Sequence, residues 1–168
     1  MGKWVYTIYM LTKFYKSFLY IILEFVPKFN LFDKLRGYLF ILLGVKCKKN
    51  FKVGSNAFIF SPEKMTVGRN CYIGVMSYLG NGIIEIGDDV LIGNNVSILP
   101  SNHQKDEQMS YRFGKPEFKK IRIGSGSWLC ANSIITAGVE ISDNSKIAAG
   151  SIILKSNKNE KFIKGLYK

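Results

Sequence analysis

The chain has 168 residues, enough for one domain with a hydrophobic core, and its 47% hydrophobic content excludes general disorder. It carries 24 basic and 12 acidic side chains, a net charge of +12. Residues 1–52 hold ten basic and two acidic residues, residues 53–156 hold ten and nine, and residues 157–168 hold four and one. Basic ends indicate an anionic partner, and because no zinc-finger, helix-turn-helix or RNP pattern occurs, a membrane surface is favoured over nucleic acid.

The N-terminal region, residues 1–49, is basic and apolar and is predicted to be helical. Its runs without a charge or proline, such as residues 17–23, are too short to span a bilayer, which takes about 20 apolar residues. Pro27 separates this run from a second one at 38–45. We expect two helices that either contact a membrane surface through aromatic and lysine side chains or pack on the protein's own core or an oligomer partner.

Three widely spaced cysteines, Cys47, Cys71 and Cys130, form no C-x-x-C pair. Their number and spacing argue against a disulfide framework and against a cysteine-rich zinc site, so no metal is expected. The opening residues do not follow the pattern of a cleavable signal peptide. The expected location is therefore the reducing cytoplasm.

A six-residue repeat begins at residue 53 and predicts the fold class. Aliphatic residues recur every six positions in four sets, separated by steps of eight, seven and 25 residues. The aliphatic positions are Val53 and Ile59; Val67, Ile73 and Leu79; Ile86, Ile92 and Ile98; and Ile123, Leu129, Ile135, Ile141, Ile147 and Ile153. A period of six fits a short strand and a turn, three times per triangular coil of about 18 residues. The predicted fold is an all-β solenoid, a parallel β-helix over residues 50–156, followed by a basic tail at 157–168.

The other positions of the repeat unit are restricted as well. The residue after the aliphatic is usually glycine or small, and we expect glycine there to supply the positive φ of a turn. The fourth residue after the aliphatic is small and should point inward near the corner. Cys71 and Cys130 occupy repeat positions, so they are assigned to packing.

His103 is the only histidine, and it stands where the repeat stops. Asn102 interrupts the small-residue position just before it, and a polar excursion at 104–120 follows before the repeat resumes. An imidazole titrates near neutral pH, so His103 is a candidate general base. On the residues alone, a surface histidine in a polar loop is the alternative.

The segments IGDDVLIGNNVSILPSNHQKD and IRIGSGSWLCANSIITAGVEISDNSKIAAGSIILKS, on either side of the excursion, resemble the hexapeptide-repeat acyltransferases. The similarity is strongest to the branch that O-acetylates sugars of bacterial surface polysaccharides. The resemblance implies a left-handed coil, a homotrimer with active sites between adjacent subunits, and acetyl-coenzyme A as donor. It also implies that His103 is the general base in direct transfer to a hydroxyl of a surface polysaccharide or its lipid-linked precursor, at the cytoplasmic face of the inner membrane.

The same resemblance implies the residues that bind the two substrates. Those along the coenzyme A path are Trp128, Ala131, Ala149 and Lys155. Those expected to meet the sugar acceptor are Asn102, Tyr111 and Arg112. Packing of Trp128 at the trimer seam, a solvated Lys155 and a solvated loop around Tyr111 and Arg112 are the alternatives.

The chain departs from this family at two places. Related enzymes end with Val-Pro and then a Gly-x-Pro-Ala-Lys segment, whereas this chain ends SNKNEKFIKGLYK. Gly74 stands where enzymes that act on small soluble sugars often have asparagine, which favours a larger or lipid-linked acceptor. The altered C-terminus supports an alternative function, a catalytically inactive trimeric β-helix that serves as a scaffold or membrane adaptor.

Overall fold

The computed structural model describes residues 3–157 and 160–168, with side chains from residue 10 onward. Two helices come first, α1 (Lys3–Phe25) and α2 (Asp33–Leu42), and the linker between them contains a 3-10 turn at Asn30–Phe32. Among these residues, no helix is both long and apolar enough to cross a bilayer. The helical N-terminal region and the break at Pro27 agree with the sequence pattern.

The rest of the described chain winds into a triangular solenoid with three sheets of parallel strands. Face 1 contains β1 (Lys46–Lys49), β4 (Met65–Arg69), β7 (Ile84–Ile86), β12 (Ile121–Ile123) and β15 (Glu140–Ile141). Face 2 contains β2 (Lys52–Val53), β5 (Tyr72–Ile73), β8 (Leu91–Ile92), β13 (Trp128–Leu129), β16 (Lys146–Ile147) and β18 (Phe162–Ile163). Face 3 contains β3 (Phe58–Ile59), β6 (Tyr78–Leu79), β9 (Ser97–Leu99), β14 (Ile134–Thr136), β17 (Ile152–Ile153) and β19 (Leu166–Tyr167).

The strand register confirms the coil length that the repeat predicts. After the excursion the partners are Ile123 and Ile141, Leu129 and Ile147, and Ile135 and Ile153, so each residue pairs with the one three repeat units later. The repeated aliphatic side chains point inward and are buried. Burial of each aliphatic side chain stabilises the fold by about 1.5–3 kcal/mol, because its apolar surface is removed from water. These branched side chains form one column, which is the core.

The irregular steps of the repeat all fall at one corner, the one between face 3 and face 1, here called corner 3–1. The step of eight contains a 3-10 turn at Pro62–Lys64, and the step of seven contains Gly82, whose φ is +149°. The step of 25 contains the excursion. The inserted segments touch, since Ser61 Oγ donates to Asn81 Oδ1 at 2.7 Å. All extra residues are therefore stacked along one edge of the prism.

The glycines that follow the aliphatic residues have negative φ, so the predicted turn role is wrong for them. They are required because successive coils approach closely. A Cβ on Gly54 would lie 2.6 Å from the backbone nitrogen of Val75, and one on Gly93 would lie 2.8 Å from that of Ala131. A side chain there would collide with the backbone of the next coil.

Positive φ occurs two residues after those glycine positions, at the corners between faces 1 and 2 (corner 1–2) and between faces 2 and 3 (corner 2–3). The residues are Asn50, Asn70, Asp89, Gly126 and Asn144 at corner 1–2, and Asn56, Met76, Asn95, Asn132 and Gly150 at corner 2–3. Asparagine and aspartate tolerate this conformation better than other side chains. Their side chains also pair between coils, as Asn95 Nδ2 donates to Asn132 Oδ1 at 2.7 Å.

Helix α2 closes the N-terminal end of the solenoid. Leu39, Phe40 and Leu43 are buried against the first coil. Arg36 is only 4% exposed; it forms an ion pair with the buried Asp33, and its Nε donates to Val53 O at 2.9 Å. The second apolar run therefore packs on the protein's own core, one of the two alternatives stated above.

The solenoid extends beyond residues 50–156 at both ends. Face 1 begins with β1, and the segment predicted as a tail supplies β18 and β19. The last coil is shortened, because Ile147 pairs with Ile163 and Ile153 pairs with Tyr167, each before three full repeat units have passed. Since this coil breaks the period of six, the repeat alone does not predict it.

Candidate active site

The excursion at corner 3–1 is an ordered β-hairpin. Strand β10 (Ser101–His103) pairs in antiparallel fashion with β11 (Pro116–Phe118), and His103 lies opposite Pro116. Gln104 N donates to Lys115 O at 3.1 Å and extends the ladder towards the tip. The excursion expected at 104–120 thus begins at residue 101, and His103 is held on a strand rather than on a free loop.

His103 is exposed, and so is Asn102 beside it. Within the part of the chain that the structure describes, the imidazole of His103 has no hydrogen-bond or ion-pair partner. Both ring nitrogens can therefore bind a substrate hydroxyl or a group from another molecule. A general base needs this access to the proton that it removes.

The tip of the hairpin is shaped by Asp106 and carries the other two predicted acceptor residues. Asp106 Oδ1 accepts hydrogen bonds from Gln108 N at 3.0 Å and Ser110 N at 2.8 Å. Tyr111 and Arg112 follow this turn and are exposed. Lys105 Nζ lies 5.3 Å from the Tyr111 ring centre. The tip thus presents aromatic and cationic groups on the same hairpin as His103.

Trp128 lies on face 2, where its side chain is 41% exposed. Lys146 Nζ stands 4.4 Å from the Trp128 ring centre, and it lies 6.0 Å from the ring of Phe162 on the next strand. Sequence reasoning missed Lys146. The repeat contains the signal for it, since Lys146 lies three repeat units after Trp128 and is its register partner.

The remaining predicted donor residues lie at corners. Ala131 and Ala149 occupy equivalent sites at corner 2–3, and Gly150 N donates to Ala131 O at 3.0 Å. Lys155 lies at corner 3–1 near the end of the solenoid, with its Nζ 5.1 Å from the Tyr167 ring centre. Both alanines leave room beside the backbone, while Lys155 is an exposed cation.

Within one chain, the structure does not bring the two groups of predicted residues together. Asn102, His103 and the hairpin tip project from corner 3–1, whereas Trp128, Ala131 and Ala149 lie on face 2 and corner 2–3. The same edge that carries the hairpin contains Lys155, two coils further on. The candidate site is therefore divided between two sides of the prism.

The structure assigns packing roles to Gly74 and Cys130. A Cβ on Gly74 would overlap the backbone of Gly93, so close packing of coils requires glycine at this departure from the family. Burial raises the pKa of the Cys130 thiol, which keeps it protonated and supports its packing assignment. In the described residues no group of three or more His, Cys, Asp or Glu side chains could hold a metal ion.

Two family models match the chain on either side of the hairpin. The model for a hexapeptide repeat of succinyl-transferase matches residues 64–100, and the model for the bacterial transferase hexapeptide matches residues 120–155. Among curated proteins, galactoside O-acetyltransferase of Escherichia coli K12 is 34% identical over 110 residues, which are 61% of this chain and 54% of that protein. A putative colanic acid biosynthesis acetyltransferase of the same strain is 28% identical over 122 residues, 72% of this chain and 65% of that protein. This chain thus spans between about half and two thirds of their lengths.

Solved structures show the same fold. A hexapeptide-repeat acetyltransferase of Vibrio cholerae, determined with acetyl-coenzyme A, matches with a TM-score of 0.71 at 20% identity. The match covers 93% of this chain and 83% of that one. Together with the three parallel faces, this likeness confirms the predicted left-handed β-helix.

Proposed function

We propose that the chain transfers an acetyl group from acetyl-coenzyme A to a sugar hydroxyl, as its matches to the hexapeptide-repeat transferase models and to sugar O-acetyltransferases support. The observation that carries this proposal is the exposed imidazole of His103 on an ordered hairpin, without a partner among the described residues. Likeness to galactoside O-acetyltransferase supports a sugar acceptor, and the acetyl-coenzyme A bound in the Vibrio cholerae structure supports the donor.

In the proposed reaction, His103 removes the proton from the acceptor hydroxyl, and the oxygen attacks the acetyl carbonyl directly. Backbone N–H groups near the hairpin stabilise the tetrahedral oxyanion. The carbon–sulfur bond then breaks, and the imidazolium returns its proton to the leaving thiolate of coenzyme A. No acyl-enzyme forms, because both substrates are bound at the same time.

The division of the candidate site supports a homotrimer. A single chain places His103 at corner 3–1 and Trp128 on face 2. Neither the hairpin nor face 2 of one chain can therefore contact both substrates. In the proposed trimer, the hairpin of one subunit reaches face 2 and corner 2–3 of its neighbour. The neighbour then supplies the donor groove and the group that orients the imidazole.

The residues of the proposed donor groove fit the parts of coenzyme A. Trp128 offers an aromatic surface, and the small side chains of Ala131 and Ala149 leave backbone groups accessible at corner 2–3. Lys146 on face 2 and Lys155 on the edge that carries the hairpin are cations that can meet phosphate oxygens. The acetyl group is thereby held near the hairpin that carries the base.

We propose a surface polysaccharide or its lipid-linked precursor as the acceptor, at the cytoplasmic face of the inner membrane. Likeness to the colanic acid biosynthesis acetyltransferase supports a polysaccharide. Tyr111 with Arg112 offers stacking and charge to a longer or anionic glycan.

The competing function is an inactive trimeric scaffold, and the observation in its favour is the C-terminal segment. It lacks the Pro-Ala of related enzymes and closes the solenoid as strands β18 and β19. A thermal-shift titration with acetyl-coenzyme A, coenzyme A and an unrelated nucleotide separates the two functions. A saturable shift specific to the coenzyme supports the enzyme; no shift at millimolar ligand contradicts it and favours the scaffold.

A further inference from the structure

Helix α1 has an apolar stripe on the side that faces away from the solenoid. Its members recur at intervals of three and four residues, as on one face of a helix. They are Leu11, Phe14, Phe18, Ile21 and Phe25, and each is more than half exposed. A soluble surface helix normally presents polar residues on this side. The stripe is thus a second apolar face, besides the one that packs on the protein.

The inner face of α1 fixes the outward direction of the stripe. Leu19 is buried, and Tyr20 Oη donates to Ile59 O at 3.1 Å while its ring stacks on Phe58 at 6.2 Å. Lys16 Nζ forms an ion pair with Glu63 Oε2 at 3.1 Å. These contacts hold the helix against face 3 and corner 3–1, so the stripe cannot turn inward without breaking them.

The linker that follows α1 extends the exposed apolar surface. Phe29 and Leu31 are 73% and 81% exposed, and the exposed Lys28 lies next to Phe29 in sequence. This linker is held by the buried Arg36, whose guanidinium donates to Pro27 O at 2.8 Å and to Phe29 O at 3.1 Å. A buried arginine therefore fixes a backbone that presents large apolar side chains to the outside.

Charge distinguishes between the possible occupants of this surface. Residues 10–36, which contain the stripe and linker, carry five basic and two acidic residues. A second copy that docked through the same surface would bring two basic regions together, which is unfavourable. An anionic bilayer surface attracts the lysines and accepts the apolar stripe between its headgroups.

We infer that the stripe and linker form a membrane-anchoring surface that inserts into the interface of an anionic phospholipid bilayer. This surface shares corner 3–1 with the hairpin: Glu63, the partner of Lys16, lies in the first insertion, and Lys64 Nζ stands 5.5 Å from the ring of Phe118 on β11. Where the proposed function holds, anchoring directs the hairpin's edge towards acceptors at the bilayer. Binding to lipid itself does not depend on that function.

The test is sedimentation of the full-length chain with vesicles of phosphatidylcholine alone or of phosphatidylcholine with phosphatidylglycerol. We expect binding to the anionic vesicles, weakened by salt, and at least about tenfold weaker for the double variant Phe14→Glu/Phe18→Glu. Leu166→Glu, a similarly exposed apolar position on the last strand of face 3, is the matched control and should bind like the wild type. Circular dichroism melts establish that all variants are folded.

Three results would overturn the inference. The wild type could stay in the supernatant with both vesicle types, or the double variant could bind as tightly as the wild type. Alternatively, light scattering could show that the double variant changes the oligomeric state while lipid binding is unchanged, which would assign the stripe to a second copy. Coenzyme binding in the thermal-shift titration is independent of all three, so failure here is distinguishable from failure of the proposed function.

Discussion

Corners 1–2 and 2–3 differ from corner 3–1 in how they use sequence. The first two repeat one solution in most of the described coils, a close-packed glycine or small residue followed by a residue at positive φ, mostly Asn, Asp or Gly. Corner 3–1 varies from coil to coil and receives the 3-10 turn, the Gly82 bend and the hairpin. The two regular corners maintain the stack, and the variable corner is free to carry chemistry.

The largest expected effect is on chemistry at the variable corner. His103→Ala should lower the rate of acetyl transfer by about 10²–10⁴-fold, because in the proposed mechanism the acceptor hydroxyl loses its general base. The melting temperature should be nearly unchanged, since the side chain is exposed and unpartnered among the described residues. Steady-state kinetics and a melt of the same preparation measure both. Activity within a few-fold of the wild type would remove His103 from the mechanism.

A matched pair of glycine variants compares the two kinds of corner directly. Gly74→Ala places a Cβ on the backbone of Gly93 at corner 2–3, and we expect a loss of about 3 kcal/mol in unfolding free energy. Gly80→Ala, at corner 3–1, places a Cβ 3.2 Å from the Pro100 ring and 3.3 Å from Ile98 O, with no atom closer than 3.0 Å, and should lose less than about 1 kcal/mol. Chemical denaturation measures both. Equal losses would show that the corners do not differ in packing tolerance.

Substitutions at the small residue four positions after the repeated aliphatic test hydrogen bonding inside the regular corners. Ser145 Oγ donates to Ser142 O at 2.7 Å and accepts from Asn157 Nδ2 at 2.9 Å, so Ser145→Ala should destabilise by about 1–2 kcal/mol. Ser133 Oγ is buried without a partner in the described chain, so Ser133→Ala should be neutral or stabilising by up to about 1 kcal/mol. Urea unfolding midpoints show whether each substitution raises or lowers the free energy of unfolding. A lower stability of Ser133→Ala would contradict this explanation.

Met76 stands at a positive-φ position of corner 2–3 where most other coils have asparagine. Its φ is +60°, and it stands between Asn56 and Asn95, which have the same conformation. Met76→Asn should stabilise the fold by about 0.5–1 kcal/mol, because asparagine adopts positive φ at lower energy. Thermal and urea unfolding measure the gain, with Met76→Ala as the control that removes the side chain without this benefit.

The smallest effect concerns a charged contact at corner 1–2. The backbone N–H and guanidinium of Arg69 donate to Asp88 and lower its pKa from 3.8 to about 2. A lowered folded pKa stabilises above the unfolded value, so this contribution is present above about pH 4 and lost as the pH falls through about 2. Acid titrations of the wild type and Asp88→Asn check it. The variant should show a smaller decline in melting temperature across that range.

The core and the coil length follow from the sequence because inward aliphatic residues must recur once per strand. The hairpin's pairing does not follow, since antiparallel partners such as His103 and Pro116 obey no six-residue period. The final coil cannot be predicted from the repeat for a related reason. Its strands pair with the preceding coil before three repeat units are complete. Periodicity therefore reveals what every coil shares and misses what one coil does alone.

The sequence predicts the residues of the candidate site but not their arrangement. His103 stands out because it interrupts the repeat, and Trp128 because it follows the point where the repeat resumes. Lys146 is not identified from the sequence, although this residue lies one coil after Trp128 and therefore beside it. That His103 and Trp128 project from different sides of one prism depends on which corner receives the insertion, and the period cannot specify this.

The central claim is that the variable corner of one subunit completes its site with face 2 of a neighbour, and complementation tests it most directly. His103→Ala and Trp128→Ala are each purified, mixed, unfolded and refolded together, and transfer of acetyl from acetyl-coenzyme A is measured. Random mixing in a trimer gives about one quarter of sites with both side chains intact, so activity should rise to about a quarter of the wild type. Activity no higher than the mean of the two separate variants would show that one chain supplies both residues, and would contradict the shared site.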